Sequence, residues 1–187
     1  PSIDVKYKIS QYQSQHPWDR VEGAPYGTRG GTVVEHVFPA DGEYALGLTF
    51  ASGDNERFED IDVSIDGDRV AFMAYSRSGG GATNLTVDGR GSDVMWTQPI
   101  FVRAGQRRVS VAFVRRADGP YEDLIRPHDW SMAGGGSGGT GITTLPHLQD
   151  MVIRGPHQAT GLSETPTRNK IFVCRPTISE EEEVCAR

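Results

Sequence analysis

The sequence has few cysteines, no long apolar run and no excess of basic residues. Its two cysteines, Cys174 and Cys185, have no second cysteine or histidine at zinc-ligand spacing, so a structural zinc site is not expected. No apolar stretch approaches the length of about 20 residues that a transmembrane helix needs. Acidic residues outnumber basic ones by 25 to 19. This balance argues against non-specific nucleic-acid binding and against a polybasic contact with a membrane.

Catalytic motifs are also missing. The sequence contains no Gly-x-Ser-x-Gly, no phosphate-binding loop and no His-Glu-x-x-His. None of its 5 histidines belongs to a nucleophile or metal motif. His36, for example, lies among alternating apolar residues and is interpreted as a surface or hydrogen-bonded strand residue. We therefore predict that the protein is not an enzyme and has no catalytic residues, cofactor-binding residues or metal ligands.

Glycine, proline and short alternating segments are what the sequence has instead. There are 23 glycines and 11 prolines among 187 residues, which indicates many turns and few long helices. In the clearest alternating run, Val109, Val111 and Phe113 share one face. Asp-Gly turns at residues 39–42 and 66–68 are each predicted to close a hairpin. The pattern predicts an all-β fold, an antiparallel β-sandwich or jelly roll with long irregular loops and a short C-terminal helix.

The alternating runs also predict how the chain is divided. The predicted strands cover residues 4–9, 32–38, 43–50, 62–65, 69–75, 84–87, 94–102, 107–115, 148–153 and 170–174. The predicted divisions are an irregular N-terminal arm over residues 1–31, the sandwich over 32–155 with a loop excursion at 116–147, and a tail over 156–187. A helix is expected to begin in the tail at Ser179, because Ser179 and Glu182 have the spacing of a capping box.

Several segments resemble a family of exported bacterial multidomain proteins that are associated with planctomycete-type cytochrome c and contain domains of unknown function. The most specific matches are residues 152–157 (VIRGPH), 164–176 (ETPTRNKIFVCRP) and 185–187. Shorter matches lie at residues 24–31, 38–44, 65–68 and 123–127. The resemblance implies a β-sandwich, itself similar in fold to carbohydrate-binding modules, followed by a cysteine-containing tail.

The two cysteines allow two interpretations. A local disulfide between Cys174 and Cys185 is typical of an exported protein. It would close a loop of about a dozen residues and stabilise the fold by roughly 3 kcal/mol in the chain-entropy model. The alternative is two unrelated thiols in a cytosolic protein. We favour the disulfide, and with it an exported, periplasmic location.

Two groups of residues are candidate binding sites. Aromatic side chains in loops or at strand ends stack on sugars or anchor protein interfaces, or else they plug the ends of a sandwich. The aromatic candidates are Trp18, Tyr26, Trp96, Tyr121 and Trp130. An acidic cluster offers oxygen ligands for calcium but lacks an EF-hand pattern, and a solvated acidic loop is the favoured interpretation. The cluster comprises Asp54, Glu56, Glu59, Asp60 and Asp62.

Two functions are compatible with these observations. The resemblance and the long irregular segments predict a non-catalytic accessory subunit that stabilises a larger membrane-associated electron-transfer assembly by protein contacts. A cytochrome-bearing photosynthetic reaction centre is one such assembly. The chain has no Cys-x-x-Cys-His and therefore no covalent haem of its own. The alternative is a carbohydrate-binding module, with polysaccharide as its partner and calcium as a candidate cofactor.

Overall fold

The described part of the chain is almost entirely β-strand. A computed structural model describes residues 2–10, 13, 15–16, 19–51, 59–75, 85–87, 93–115, 146–162, 170–171, 173–174, 183 and 185. The strands within these residues are β1 (Ile3–Lys8), β2 (Thr28–Phe38), β3 (Ala40–Ala51), β4 (Glu59–Ile65), β5 (Asp68–Tyr75), β6 (Leu85–Val87), β7 (Asp93–Trp96), β8 (Ile100–Val102), β9 (Gly105–Val114) and β10 (His147–Leu162). The loop excursion predicted at residues 116–147 lies mostly outside the described residues.

The strands form two sheets. In the six-stranded sheet, β1, β10, β3, β7 and β6 lie side by side in that order, and β8 also pairs with β3. In the four-stranded sheet the order is β2, β9, β4 and β5. All of these pairs are antiparallel. Both sheets contribute side chains to one apolar core, so the predicted antiparallel β-sandwich is confirmed.

The core forms where the alternating apolar residues of the two sheets face each other. Successive side chains of a strand point to opposite faces, so alternation sends every second residue inward. Tyr44, Leu46 and Leu48 of β3 are buried in this way, and so are Val109 and Val111 of β9. Each such aliphatic side chain stabilises the fold by roughly 1.5–3 kcal/mol. The inward faces predicted for these two strands are confirmed.

The hairpin predicted at residues 66–68 is confirmed. The strands β4 and β5 pair along their length, and the turn between them contains Asp66 and Gly67 with φ angles of 53° and 93°. A tight hairpin turn of this kind needs positive φ at both central residues, which the Asp-Gly pair tolerates well. Here the local sequence decides the structure.

The hairpin predicted at residues 39–42 is wrong. Strand β2 ends at Phe38 in the four-stranded sheet, and β3 begins two residues later in the six-stranded sheet, so the chain crosses between the sheets. Gly42 lies inside β3, opposite Val102 of β8. The Asp41 carboxylate accepts a hydrogen bond from the backbone N–H of Ala104 at 2.7 Å. The pairing of β3 with β8 therefore prevails over the local turn preference of Asp-Gly.

Two further strand predictions differ from the structure. The strand predicted over residues 94–102 is divided into β7 and β8. Between them, Thr97 forms hydrogen bonds to Leu46 of β3. The Thr97 backbone N–H donates to the Leu46 carbonyl at 2.9 Å, and the Thr97 hydroxyl accepts from the Leu46 N–H at 3.0 Å. Strand β10 runs past its predicted end at Ile153, through the cis peptide before Pro156, to Leu162. Residues 156–162 lie in the predicted tail, and their pairing with β3 makes them part of this strand.

The N-terminal arm is attached to the sandwich. The edge strand predicted at residues 4–9 is confirmed as β1, which pairs with β10, and β2 begins at Thr28, earlier than predicted. Between them, the buried Gln15 side chain donates to the Leu148 carbonyl at 3.0 Å and accepts from the Leu148 N–H at 2.9 Å. An amide side chain has both a donor and an acceptor, so Gln15 forms the two hydrogen bonds with the Leu148 backbone that a neighbouring strand would otherwise form. The described part of this arm packs on the protein itself.

The C-terminal tail contains the predicted disulfide. Cys174 and Cys185 are bonded, with their Cα atoms 5.4 Å apart. Lys170 and Ile171, predicted to begin a strand, are helical instead. Strand-forming residues adopt a strand where a neighbour pairs with them, and among the described residues no strand pairs with Lys170 or Ile171. Glu183 is helical, as predicted for the region after residue 179. In the described part of the chain, no helix has the length and apolarity needed to cross a membrane.

Candidate functional site

The outer face of the six-stranded sheet combines aromatic and charged side chains on regular strands. The core residues of β3 point inward, so the residues between them point outward, together with their cross-strand partners. We name this surface the Trp96 face. It comprises Asp4 and Lys6 of β1, Asp150, Val152 and Arg154 of β10, Glu43, Ala45 and Gly47 of β3, Trp96 of β7 and Phe101 of β8.

The indole of Trp96 lies flat on β3 because its cross-strand partner, Gly47, has no side chain. A Cβ atom at position 47 would lie 2.8–2.9 Å from three carbons of the six-membered indole ring, which is closer than such atoms approach. The guanidinium of Arg154 lies over the same indole, with Cζ 4.2 Å from the ring centroid. This is the geometry of a cation–π contact. Gly47 and Arg154 therefore hold the indole in one position on the sheet.

Arg154 is held in turn by Asp4. Its Nε and Nη2 atoms donate to the two carboxylate oxygens of Asp4 at 2.9 and 2.8 Å, which is a bidentate pair. The hydrogen bond from Arg154, with the nearby charges of Arg154 and His157, lowers the pKa of Asp4 from its ordinary value of 3.8. Lys6 and Asp150 form a second ion pair at 2.9 Å. Two pairs of opposite charge thus lie on the same sheet face as the indole.

Phe101 continues the aromatic surface along β3. It lies opposite Glu43, on the outward side of β8, and is 58% exposed. Trp96 lies opposite Gly47, so the two aromatic residues are separated by four residues of β3, or about 13 Å at about 3.3 Å per residue. The small side chain of Ala45 lies between them. The Trp96 face is therefore a row with an aromatic residue towards each end and charged groups beside it.

Tyr26 is exposed in a different part of the molecule. It lies in the loop before β2, which belongs to the four-stranded sheet, and it is 91% exposed. The guanidinium of Arg20 lies over its ring at 4.3 Å, and Arg20 also donates to the Ala24 carbonyl at 2.9 Å. Outside the described residues lie Trp18, Tyr121 and Trp130. Among the predicted aromatic candidates that the structure describes, Tyr26 lies in a loop that leads into the four-stranded sheet and Trp96 lies in the six-stranded sheet, so they do not form one site.

The acidic cluster is engaged internally where the structure describes it. Glu59 is buried and forms an ion pair with the buried Arg29 at 3.0 Å. Asp62, on the other side of β4, bonds to the guanidinium of Arg69. Outside the described residues lie Asp54 and Glu56. Among the residues that can be placed, no group of three or more His, Cys, Asp or Glu is arranged to hold a metal ion.

Of the Trp96 face, sequence reasoning identified Trp96 alone and missed Gly47, Phe101 and Arg154, the residues that most shape it. For Phe101 a signal existed, because alternation places it on the face opposite Ile100 and Val102, and an apolar residue on both faces of a strand leaves one exposed. For Gly47 no local signal existed. Its contact with Trp96 depends on the pairing of β3 with β7, which joins residues far apart in the sequence.

No protein-family model matches the chain, and no curated protein matches it. Solved structures similar to it include the CBM36-1 domain of a multidomain xylanase from the hindgut metagenome of Trinervitermes trinervoides, with 12% identity over 85% of this chain and 100% of that one, and a TM-score of 0.42. A family 35 carbohydrate binding module from Clostridium thermocellum has 13% identity over 81% of this chain and 90% of that one, with a TM-score of 0.35. An exo-beta-1,3-galactanase from Phanerochaete chrysosporium, solved with galactose, has 14% identity over 81% of this chain and 29% of that one, with a TM-score of 0.37.

These comparisons bear differently on the two predicted likenesses. Carbohydrate-binding modules are among the similar structures, as expected from the predicted similarity in fold. The resemblance to proteins associated with planctomycete-type cytochrome c has no support, since no family model and no curated protein matches. The identities and TM-scores are too low to carry an argument about function.

Proposed function

We propose that this chain is a non-catalytic carbohydrate-binding module that binds an extended polysaccharide on the Trp96 face. The observation that carries the proposal is the aromatic row on that face, in which Trp96 lies flat on the sheet and Phe101 is exposed about 13 Å further along β3. Pyranose rings have apolar C–H faces that pack on aromatic rings, and Phe101 is exposed for such a contact. At Trp96 the Arg154 guanidinium lies over the indole, so a sugar there packs on the pair that the two side chains form. A separation of this size is spanned by a ligand longer than one sugar ring.

The charged pairs of the Trp96 face supply the polar part of such a site. Sugar hydroxyls both donate and accept hydrogen bonds, and the face offers the exposed carboxylate of Asp4 beside the cations of Lys6 and Arg154. The buried Asp150 holds Lys6 in place. The pairs and the indole contact fix these side chains before any ligand arrives. Groups that are already ordered lose little conformational entropy on binding, so each contact contributes more to affinity.

The disulfide supports an extracytoplasmic location for the protein. Cys174 and Cys185 are bonded, and such bonds form and persist in oxidising compartments such as the periplasm and the cell exterior. Calcium has no role in the proposal, because Asp4 and Asp150 of the Trp96 face are each paired with a cation. We therefore expect binding to be unchanged by a chelator.

The test is a binding titration against a panel of soluble neutral and acidic polysaccharides, by isothermal calorimetry and affinity electrophoresis. We expect Phe101→Ala and Trp96→Ala each to weaken binding by about tenfold or more, as for an aromatic residue at the centre of an interface. Phe72→Ala is the matched control, since Phe72 is 53% exposed on a strand of the other sheet. It should leave binding unchanged.

Two outcomes would refute the proposal. One is the absence of binding to any polysaccharide of the panel, and the other is binding that Phe101→Ala and Phe72→Ala affect equally. Capture of cytochrome-containing complexes from native membranes by the wild-type chain, without polysaccharide binding, would favour the accessory subunit of an electron-transfer assembly instead.

A further inference from the structure

The strand β1 is an exposed edge of the six-stranded sheet. It pairs with β10 on one side, and no strand among the described residues pairs with its other side. Apart from Tyr7, all of its residues are exposed, including the apolar Ile3 at 59% and Val5 at 36%. An edge strand presents a row of backbone donors and acceptors to any other strand that approaches it.

The backbone groups on the free side of β1 belong to its charged residues. The N–H of Ile9, which follows β1, donates to the carbonyl of Gln149 at 2.9 Å, so residue 9 faces β10. In an antiparallel pair the N–H and C=O of one residue point to the same side, and they alternate along the strand. Residues 3, 5 and 7 therefore face β10 as well. Asp4, Lys6 and Lys8 direct their backbone groups away from it.

We propose that a second copy of this chain pairs antiparallel with β1, with Val5 of one copy opposite Val5 of the other. In this register Asp4 of each copy lies opposite Lys6 of the second copy, and these two residue pairs exchange about four backbone hydrogen bonds. Ile3 lies opposite Tyr7 of the second copy on the inner side. The strand is thus complementary to itself in charge and in apolar contact.

Charge selects this register over its neighbours. The outward-facing backbone groups restrict the offset between the two strands to steps of two residues. A shift of two residues in one direction places Lys6 opposite Lys6 of the second copy. A shift of two residues in the other direction places Asp4 opposite Asp4 of the second copy. Directly opposed like charges destabilise a strand pair. Lysines on an edge strand usually oppose pairing, whereas here each Lys6 meets an aspartate.

The pairing has a consequence for the Trp96 face. An antiparallel two-fold pair of edge strands continues one sheet into the other, so outward-facing residues of both copies lie on the same side. Two Trp96 faces would then be presented together, and a long polysaccharide that contacts both would bind more tightly than either face alone. This consequence depends on the proposed function, but the pairing of β1 does not.

The test is the molar mass of the chain of residues 1–187 in solution, measured by sedimentation equilibrium up to about 500 µM, because a contact formed by one strand edge is small and its dimer weak. We expect the wild type to dimerise. Lys6→Asp places aspartates opposite each other and Asp4→Lys places lysines opposite each other, so each should weaken the dimer by about tenfold or more. The double variant Asp4→Lys/Lys6→Asp exchanges the charges within the strand and should restore it.

A mixture of the two single variants sharpens the test. The Asp4→Lys chain carries lysine at both positions and the Lys6→Asp chain carries aspartate at both, so together they should form a heterodimer although each alone is monomeric. Asp68→Lys, an exposed charge reversal on β5, is the control and should leave the wild-type dimer intact. A wild-type chain that stays monomeric overturns the proposal. So does a dimer that the single variants leave unchanged or the double variant does not restore, with folding of each variant checked by circular dichroism.

Discussion

The outer faces of the two sheets have similar polar sequences but different environments. On the Trp96 face, Asp4 and Arg154 form their ion pair in contact with solvent, with close to half of each side chain exposed. On the outer face of the four-stranded sheet, Asp62, Ser64 and Ser110 are buried, and Asp62 is only 1% exposed. Alternation predicts which side of a strand a residue occupies, but it does not predict how much water reaches that side.

Because of this difference, the Trp96 face can bind a ligand, whereas the outer face of the four-stranded sheet contributes to the stability of the fold. The Asp62 carboxylate accepts hydrogen bonds from the buried Ser64 hydroxyl and from Arg69. Buried polar groups must satisfy one another because water does not reach them. The Asp4 carboxylate and the Phe101 ring remain accessible to a ligand. Substitutions on each face test whether the two faces differ in this way.

The largest expected effect is on the stability of the buried face. Asp62→Ala leaves the Ser64 hydroxyl without this acceptor in the protein interior, so we expect the free energy of unfolding to fall by about 2 kcal/mol. Asp4→Ala is the matched variant on the Trp96 face, and because exposed ion pairs contribute little, we expect a change of about 0.5 kcal/mol or less. Urea denaturation followed by circular dichroism measures both. Equal losses for the two variants would contradict the comparison.

A smaller effect is expected where the Trp96 face is packed most closely. In Gly47→Ala, the new Cβ would lie 2.8–2.9 Å from three carbons of the Trp96 ring, so the indole must move. We expect a loss of about 1.5 kcal/mol in the free energy of unfolding from this overpacking, together with weaker polysaccharide binding. A double-mutant cycle with Trp96→Ala supplies the control, because without the indole the added methyl group should cost little. An additive cycle would show that the two residues do not interact.

A pH-dependent effect is expected at the contact between β2 of the four-stranded sheet and β1 of the six-stranded sheet. His36 of β2 is buried, its Nδ1 lies 2.7 Å from the Tyr7 hydroxyl of β1, and burial lowers its pKa from the ordinary value of 6.5. As the pH falls through 6.5, the unfolded chain binds a proton at His36 that the folded chain does not, so stability decreases towards acid by at most about 1.4 kcal/mol per pH unit. Above this range both states are neutral at His36, and it contributes no pH dependence. His36→Gln should remove this pH dependence from the free energy of unfolding, which denaturation curves measure between pH 5 and pH 8. The same pH dependence in wild type and variant would show that His36 does not cause it.

Local chemistry explains which parts of the fold were predictable. The turn at Asp66 and Gly67 is specified by residues that tolerate positive φ, and it forms where predicted. The Asp-Gly pair at residues 41–42 has the same local preference, yet it lies within β3 because β8 pairs with it there. The disulfide was predictable because the chain has two cysteines, close together in sequence. Short-range preferences decide a segment only where no long-range pairing competes with them.

The candidate site was predictable only in part. Trp96 was identified as a candidate from its residue type and its position near a strand end. Its position flat on the sheet depends on Gly47 across the strand pair and on Arg154 two strands away. The other described aromatic candidate, Tyr26, lies in the loop before a strand of the other sheet.

Residue types at short spacing specify the alternating strands, the side chains that enter the core, the tight turn at residues 66–67 and the disulfide. The tertiary structure decided which strands are neighbours, where the chain crosses between the sheets, and which outward residues are accessible. Strand pairing connects distant residues through backbone hydrogen bonds that are alike for every sequence, so the partner of each strand follows from how the whole core packs.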